Sequence, residues 1–221
     1  LLNAMGASIK GAGTSVIEIK GVAGLRGVKH TVIPDRIETG TFLLACAAAG
    51  GRLRLEGACG GHLKALTAKL RLAGAKITED RAGMAIAMTS RPKPAAIETK
   101  PYPGFPTDLQ APWLSLMCLS SGASKVIETV FENRFLHAAE LGRMGALIDV
   151  SGNTARILGI SGLHGAPIMA SDIRAGAALI VAAVAAKGKT ILQRVYHIDR
   201  GYEKVESKLR KIGVRIRRVR A

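Results

Sequence analysis

Four glycines constrain this chain more than any other feature. Gly6, Gly74, Gly145 and Gly213 each close an amphipathic helical pattern, at separations of 68, 71 and 68 residues. Before three of them the order of patterns is the same: a strand, an apolar helix, a strand, then an amphipathic helix. Self-similarity at so long a period points to stacked supersecondary units that bury a shared core. Positions that obey the repeat are scaffold, and charges that break it are candidates for chemistry.

The apolar helices are expected from about Thr39 to Ala49, from Asp108 to Ser120, and from Ser171 or Asp172 to Lys187. All three are rich in small apolar residues and nearly free of charge beyond the first turn. A helix that is apolar all round must be buried. Strands are expected at Arg52–Glu56, Lys125–Val130 and Lys189–Val195. The amphipathic helices that follow carry apolar stripes at Leu63, Leu66 and Leu70 in the first copy, and at Val205, Leu209 and Ile212 in the last. Intervals of three and four residues put one face inward. The fold is therefore α/β, with one set of helices sheltered by sheets and another set outside.

Composition closes off several alternatives. With 221 residues, 48% of them hydrophobic, there is ample material for a core. The longest apolar run, Ala175–Ala186, is too short to span a bilayer, so no membrane partner is expected and a cytosolic setting is the default. Cys46, Cys59 and Cys118 lie far apart without metal-ligand spacing, and buried inert thiols are the expectation. The formal charge of +16 is compatible with nucleic-acid binding, with a cleft for anionic substrates, or with a solvated basic surface. Its densest part runs from Lys204 to Arg220, partly on the polar face of the last helix, and a solvated face is the ordinary reading. Aromatic residues are only 4% and are not interleaved with that run, which argues against base-stacking platforms and specific nucleic-acid recognition.

The copies differ at two places. Asp35-Arg36, Asp108 and Asp172 with Arg174 align at the starts of the buried helices. Free N–H groups and partial positive charge at a helix N-terminus suit carboxylates and phosphates, and an aspartate there is also an ordinary cap. Asp108 stands apart because it follows PYPGFPT (101–107), a stiff segment that fixes where the carboxylate points. The second difference lies just before the amphipathic helices. GACGG (57–61) carries no charge, FENR (131–134) carries two, and YHIDRGY (196–202) brings Asp199 and Arg200. Carboxylates beside guanidinium groups along one edge suit proton transfer next to a bound anion, although ion pairs that tie the units together would use the same residues.

These segments resemble the enolpyruvyl transferases. PDRIETGT (34–41), FPTDLQ (105–110), ETVFENRF (128–135) and YHIDRGYE (196–203) occur in that family's order, and the similarity extends over essentially the whole chain. The resemblance implies an inside-out α/β barrel built from three repeated βαβαββ-type units. Residues 1–30 would be the tail of a preceding domain and residues 31–221 the second enolpyruvyl transferase domain. Because only part of a unit precedes residue 30 and the last unit is short, the chain is expected to be the C-terminal half of a longer polypeptide. A family strand from the N-terminal half would complete it.

The branch of the family that these motifs fit moves the enolpyruvyl group of phosphoenolpyruvate to the 3-hydroxyl of UDP-N-acetylglucosamine, with no cofactor and no metal. By its motif, Asp108 is implied to be the general base that meets the sugar hydroxyl. Val130 is implied to give a backbone contact to the nucleotide sugar, and Arg200 to pair with phosphoenolpyruvate or phosphate. Arg134 and Arg174 would add positive field, Arg36 would bind substrate from the hinge, and Glu132, Asp172 and Asp199 would support these groups. The missing N-terminal half is implied as the necessary partner. A basic nucleic-acid-binding module and a noncatalytic remnant of the same fold are the competing expectations.

Overall fold

A computed structural model describes residues 1–219 and divides the chain into two compact units, Leu1–Ile33 and Pro34–Ala221. The four periodic glycines end their turns in one way. Their φ angles are +103°, +106°, +93° and +95°. The residue after each donates its N–H back across the turn, from Ala7 to the Leu2 carbonyl, Ala75 to Leu70, Ala146 to Leu141 and Val214 to Leu209, at 2.9–3.1 Å. At Gly74, Gly145 and Gly213 this bond satisfies a helix carbonyl that would otherwise lack a partner, at Gly6 it closes a run of turns, and at all four it requires the left-handed backbone that glycine adopts without strain. The repeat is thus a repeat of one glycine-closed turn, which in three copies stops a helix.

The first unit holds an antiparallel pair, β1 (Ser8–Lys10) and β2 (Glu18–Lys20), with Ile9 opposite Ile19. The second unit holds three sheets. In the first, β3 (Gly51–Glu56), β4 (Lys76–Asp80) and β5 (Gly83–Met88) are antiparallel in the order β3-β5-β4. In the second, β6 (Ile97–Glu98) pairs in parallel with β7 (Ala123–Ile127), followed by β9 (Thr154–Leu158) and β8 (Leu147–Ser151). In the third, β10 (Pro167–Met169) runs parallel to β11 (Ile191–Gln193). The three sheets share one ordering. The middle copy shows four strands, and each of the others shows part of the same set.

Three helices occupy the centre: α1 (Arg36–Ala49), α3 (Gln110–Met117) and α5 (Ile173–Ala185), each packed against the other two. Every residue of α3 is buried, as are Gly40–Ala47 and Ala175–Ala182. Small residues let neighbouring elements approach these helices closely. A Cβ at Gly40 would lie 2.5 Å from Leu109, and one at Gly176 would lie 2.5 Å from Ile198. The outer helices α2 (Lys64–Leu72), α4 (His137–Arg143), α6 (Tyr196–Asp199) and α7 (Val205–Lys211) follow the returning strands. The architecture is that of the inside-out α/β barrel, with helices inside and sheets around them.

Two local expectations need correction. Leu63, Leu66 and Leu70 are buried as their spacing requires, and so are Val205 and Leu209, but Ile212 is 43% exposed. Helix α7 ends at Lys211, so the next side chain no longer follows its stripe. The segment after Gly213 has room for a strand, yet no strand pairs there among the described residues. Cys46 and Cys118 are buried, and burial pushes the Cys118 thiol up to about 12, so it behaves as a small apolar side chain. No helix among the described residues is long and apolar enough to cross a membrane.

Candidate functional site

The three buried helices begin with three aspartates that do different work. Asp35 caps α1, its Oδ1 accepting from the amides of Ile37 at 2.7 Å and Glu38 at 3.1 Å. Asp172 caps α5 in the same way, accepting from Arg174 at 2.8 Å and Ala175 at 3.0 Å. Asp108 caps nothing. It sits in a single 3-10 turn, Thr107–Leu109, that leads into α3 without a side-chain cap. The approach, with prolines at 101, 103 and 106, is a tight turn in which the Gly104 amide donates to the Pro101 carbonyl at 2.8 Å and the Lys100 amide to the Phe105 carbonyl at 3.0 Å, and Pro106 then enters the 3-10 turn from extended backbone.

The carboxylate of Asp108 is therefore available to other partners. Its Oδ1 accepts from Arg174 Nε at 2.7 Å and, at a longer 3.4 Å, from an Nη of Arg134. Its Oδ2 has no hydrogen-bond partner among the described residues. The Arg134 guanidinium also donates to Thr107 Oγ1 at 2.8 Å and lies 4.5 Å from the Phe131 ring centroid. Behind Thr107 stands Glu128, 2% exposed, whose Oε2 accepts the Thr107 hydroxyl at 2.9 Å. Glu128 Oε1 accepts the Thr99 hydroxyl at 2.7 Å and the amides of Val130 and Phe131 at 2.9 and 3.0 Å. A continuous polar chain thus runs Glu128, Thr107, Arg134, Asp108, Arg174. It crosses from the end of β7 to the start of α5.

A cleft of about 290 Å³ opens beside this chain, lined among others by Phe131, Glu132, Arg134, His137, Asp172 and Arg174. It is half-open, with the 13-residue helix α5 presenting its N-terminus there. Burial alone would raise the Asp172 carboxyl. Hydrogen bonds from the Ala175 amide, the Ser171 hydroxyl and the Arg174 amide, with the charge of Arg134 nearby, leave it below its ordinary value. His137 is driven the other way for its type. Complete burial pushes its imidazole down to about 4, and of its charged neighbours Asp172 works against that shift while Arg134 adds to it. Its Nε2 has no hydrogen-bond partner among the described residues.

Of the residues singled out in the sequence, Asp108, Arg134 and Arg174 come together as one cluster. Val130 adjoins it, its amide already donated to Glu128. Asp172 does not orient an arginine side chain as expected, because its oxygens are engaged by two helix amides and the Ser171 hydroxyl. Glu132 lines the cleft but makes no ion pair among the described residues. Arg36 opens α1 with its guanidinium 6.0 Å from the Tyr102 ring centroid, outside the Asp108 cluster. Arg200 follows α6 as its C-cap, exposed and without an ion pair among the described residues. Asp199, expected to support it, instead binds Arg218 through both oxygens at 2.6 and 2.8 Å. Arg218 also reaches Glu206 at 3.1 Å, and Lys208 reaches Glu38 at 2.6 Å, so part of the C-terminal basic run is tied down within the chain. No group of three or more His, Cys, Asp or Glu side chains among the described residues is placed to hold a metal.

Glu128, Thr99, Thr107 and His137 escaped the sequence reading. Glu128 did carry a signal: it is the charged residue that ends the apolar run of β7, in a motif otherwise noted for Arg134.

Comparison with known proteins bears on the family and the fold. The family model described as EPSP synthase (3-phosphoshikimate 1-carboxyvinyltransferase) matches residues 1–209. A UDP-N-acetylglucosamine 1-carboxyvinyltransferase of Anaeromyxobacter sp. (strain K) is 52% identical over 219 residues, covering 99% of this chain and 52% of the relative. One from Rhizobium meliloti (strain 1021) is 51% identical, covering 99% and 51%. Among solved structures, the enolpyruvyl transferase NikO from Streptomyces tendae superposes with a TM-score of 0.86 at 30% identity, over 97% of this chain and 52% of that one. The chain spans about half the length of the curated relatives it matches.

Proposed function

The chain belongs to the EPSP synthase family, and from that premise we propose that it supplies the acceptor-activating half of an enolpyruvyl transferase. The reaction moves the enolpyruvyl group of phosphoenolpyruvate to the 3-hydroxyl of UDP-N-acetylglucosamine and releases inorganic phosphate, a step toward bacterial cell-wall peptidoglycan. The acceptor is chosen because relatives at 51–52% identity bear that activity in their names.

The observation that carries this reading is the asymmetry of Asp108. Both guanidinium groups contact Oδ1, and Oδ2 has no protein partner among the described residues. A neutral sugar hydroxyl attacks a vinyl carbon poorly. A carboxylate oxygen within hydrogen-bond reach can take its proton as the new C–O bond forms, while the displaced double-bond pair takes up a proton at the terminal carbon; loss of a proton from that carbon then restores the double bond as the bond to the phosphate oxygen breaks. The two arginines hold the carboxylate in one orientation while this happens. Arg200 meets the phosphate of phosphoenolpyruvate, and Arg36 contributes charge at the substrate's far side. The Val130 carbonyl contacts the nucleotide sugar: the Phe131 amide in the same peptide plane is committed to Glu128, so the carbonyl points the other way. In this reading the remaining contacts come from the half of the relatives that this chain does not span, and closure of the two halves around the ligands completes the site.

The test is a hybrid in which this chain replaces the matching half of the Anaeromyxobacter relative. With phosphoenolpyruvate and UDP-N-acetylglucosamine it should release phosphate and form the enolpyruvyl sugar nucleotide, read by mass spectrometry. A folded hybrid that binds both substrates but forms no product would overturn the reading. Transfer to shikimate 3-phosphate in preference to the nucleotide sugar would overturn the acceptor assignment.

A further inference from the structure

We propose that Glu128 is a positioning residue for the transfer reaction, acting through the Thr107 hydroxyl to set Arg134 against Asp108. This deepens the reading above and rests on it. Three features carry the inference.

Glu128 is a carboxylate at 2% exposure with no cation in contact among the described residues. Burying a charge without a direct ion pair is costly, and it is tolerated only where hydrogen bonds replace water. Here four donors do so, two hydroxyls and two amides. A purely structural tie between these loops could be made by a neutral group at less cost.

The direction of the hydrogen bonds also matters. Thr107 has one proton and two lone pairs. Because Glu128 Oε2 can only accept, the Thr107 proton points at it and a lone pair is turned toward Arg134, which donates to it at 2.8 Å. The carboxylate thereby sets the polarity of a hydroxyl it shares with the site.

The same carboxylate grips the loop that carries Arg134. Its Oε1 holds the amides of Val130 and Phe131, and three residues further on the chain turns through Asn133 at φ +52° and presents Arg134. Glu128 therefore restrains the arginine from both ends, through its backbone and through its guanidinium. The arginine in turn sits at 3.4 Å from Asp108, held back by Thr107, while Arg174 closes to 2.7 Å. The consequence is a carboxylate bound tightly by one guanidinium and loosely by the other, with Oδ2 left for the substrate.

Glu128→Gln keeps the shape and inverts the polarity. If the amide oxygen stays with Thr99 and the two backbone amides, its NH₂ faces Thr107, whose own proton then loses its acceptor. The opposite rotamer sets the NH₂ against three donors. Either way Arg134 loses one of its two restraints: in the first arrangement the Thr107 hydroxyl is no longer oriented, and in the second the loop amides of Val130 and Phe131 lose their acceptor. Thr107→Val cuts the same link without touching Glu128, and Thr107→Ser preserves it.

Two measurements test the proposal. In the full 221-residue chain, nitrogen-15 NMR of the arginine side chains should show slow rotation of the Arg134 guanidinium. Rotation should be about tenfold faster in Glu128→Gln and in Thr107→Val, and unchanged in Thr107→Ser, as expected when a directed hydrogen bond is lost. In the hybrid enzyme, Glu128→Gln and Thr107→Val should each lower kcat by about 10–100-fold, with the KM for UDP-N-acetylglucosamine within about threefold of normal. The double variant should be no worse than either alone, because the two residues act through one link. Unchanged Arg134 rotation in a folded Glu128→Gln chain overturns the proposal. So do additive kinetic losses, and so does a normal Thr107→Val. Should the unsubstituted hybrid lack turnover, the functional reading falls while the rotation measurement still decides whether Glu128 positions Arg134.

Discussion

The starts of α5 and α3 make the instructive comparison. Both are helix N-termini facing the same central bundle, and both carry an aspartate. At α5 the carboxylate accepts two backbone amides and is consumed by the helix. At α3 a 3-10 turn after a proline-rich approach lifts Asp108 out of capping position, and its charge goes to Arg174 and Arg134. The repeat therefore supplies a position with a ready role, and local backbone decides whether the side chain serves the fold or is left for chemistry. Asp35 at α1 follows the α5 pattern.

The contrast can be broken most sharply at Asp108. In the hybrid enzyme, Asp108→Asn should reduce turnover by about 10²–10⁴ with only modest loss of nucleotide-sugar binding, because the amide keeps the shape but cannot take the proton. Near-normal turnover at saturating substrate would make Asp108 a placement group like its two counterparts. Arg200→Ala should differ from it by weakening phosphoenolpyruvate engagement as well, seen as a raised KM for that substrate.

The next effect concerns the surroundings of the α5 start. His137 is neutral in the fold, with its imidazole pushed down to about 4 by burial, against an ordinary value of 6.5. The unfolded chain takes up a proton as pH falls through 6.5, and the native chain does not until near pH 4. Stability should therefore decline across that window, by on the order of 3 kcal/mol. Denaturant melts at pH 7, 5.5 and 4.5 should show this slope in the natural chain and a flatter one in His137→Gln. Equal slopes would show that His137 is accessible to protons in the native state.

The smallest effects test the caps themselves. Asp35→Ala and Asp172→Ala should each cost about 0.5–2 kcal/mol of folding stability, and Asp108→Asn should cost less than either. The Asp172 contribution has its own pH signature. Because its carboxyl is held below its ordinary value, the stabilisation is present above pH 4 and lost as pH falls through the folded value. Equal stability losses at all three aspartates would erase the distinction drawn here.

Much of this was legible in the sequence. Glycine spacing determined the helix stops, because only a left-handed residue completes that turn, and the uninterrupted apolar runs determined which helices are buried. PYPGFPT sets Asp108 apart within the sequence itself, since prolines restrict the backbone locally. The ETVFENRF motif also marked Arg134, and the alignment of the repeats marked Arg174. What the sequence could not supply was pairing at a distance. Asp108 meets Arg174 across 66 positions and Arg134 across 26, and Asp199 was taken by Arg218 rather than left beside Arg200. Glu128 reads locally as the end of a strand, and its four donors converge only once β6, β7 and the 3-10 turn are brought together. Periodicity and backbone restriction are properties of neighbours in the chain, so the sequence alone determines them. Which charges touch depends on how three buried helices pack, and only the tertiary structure decides that.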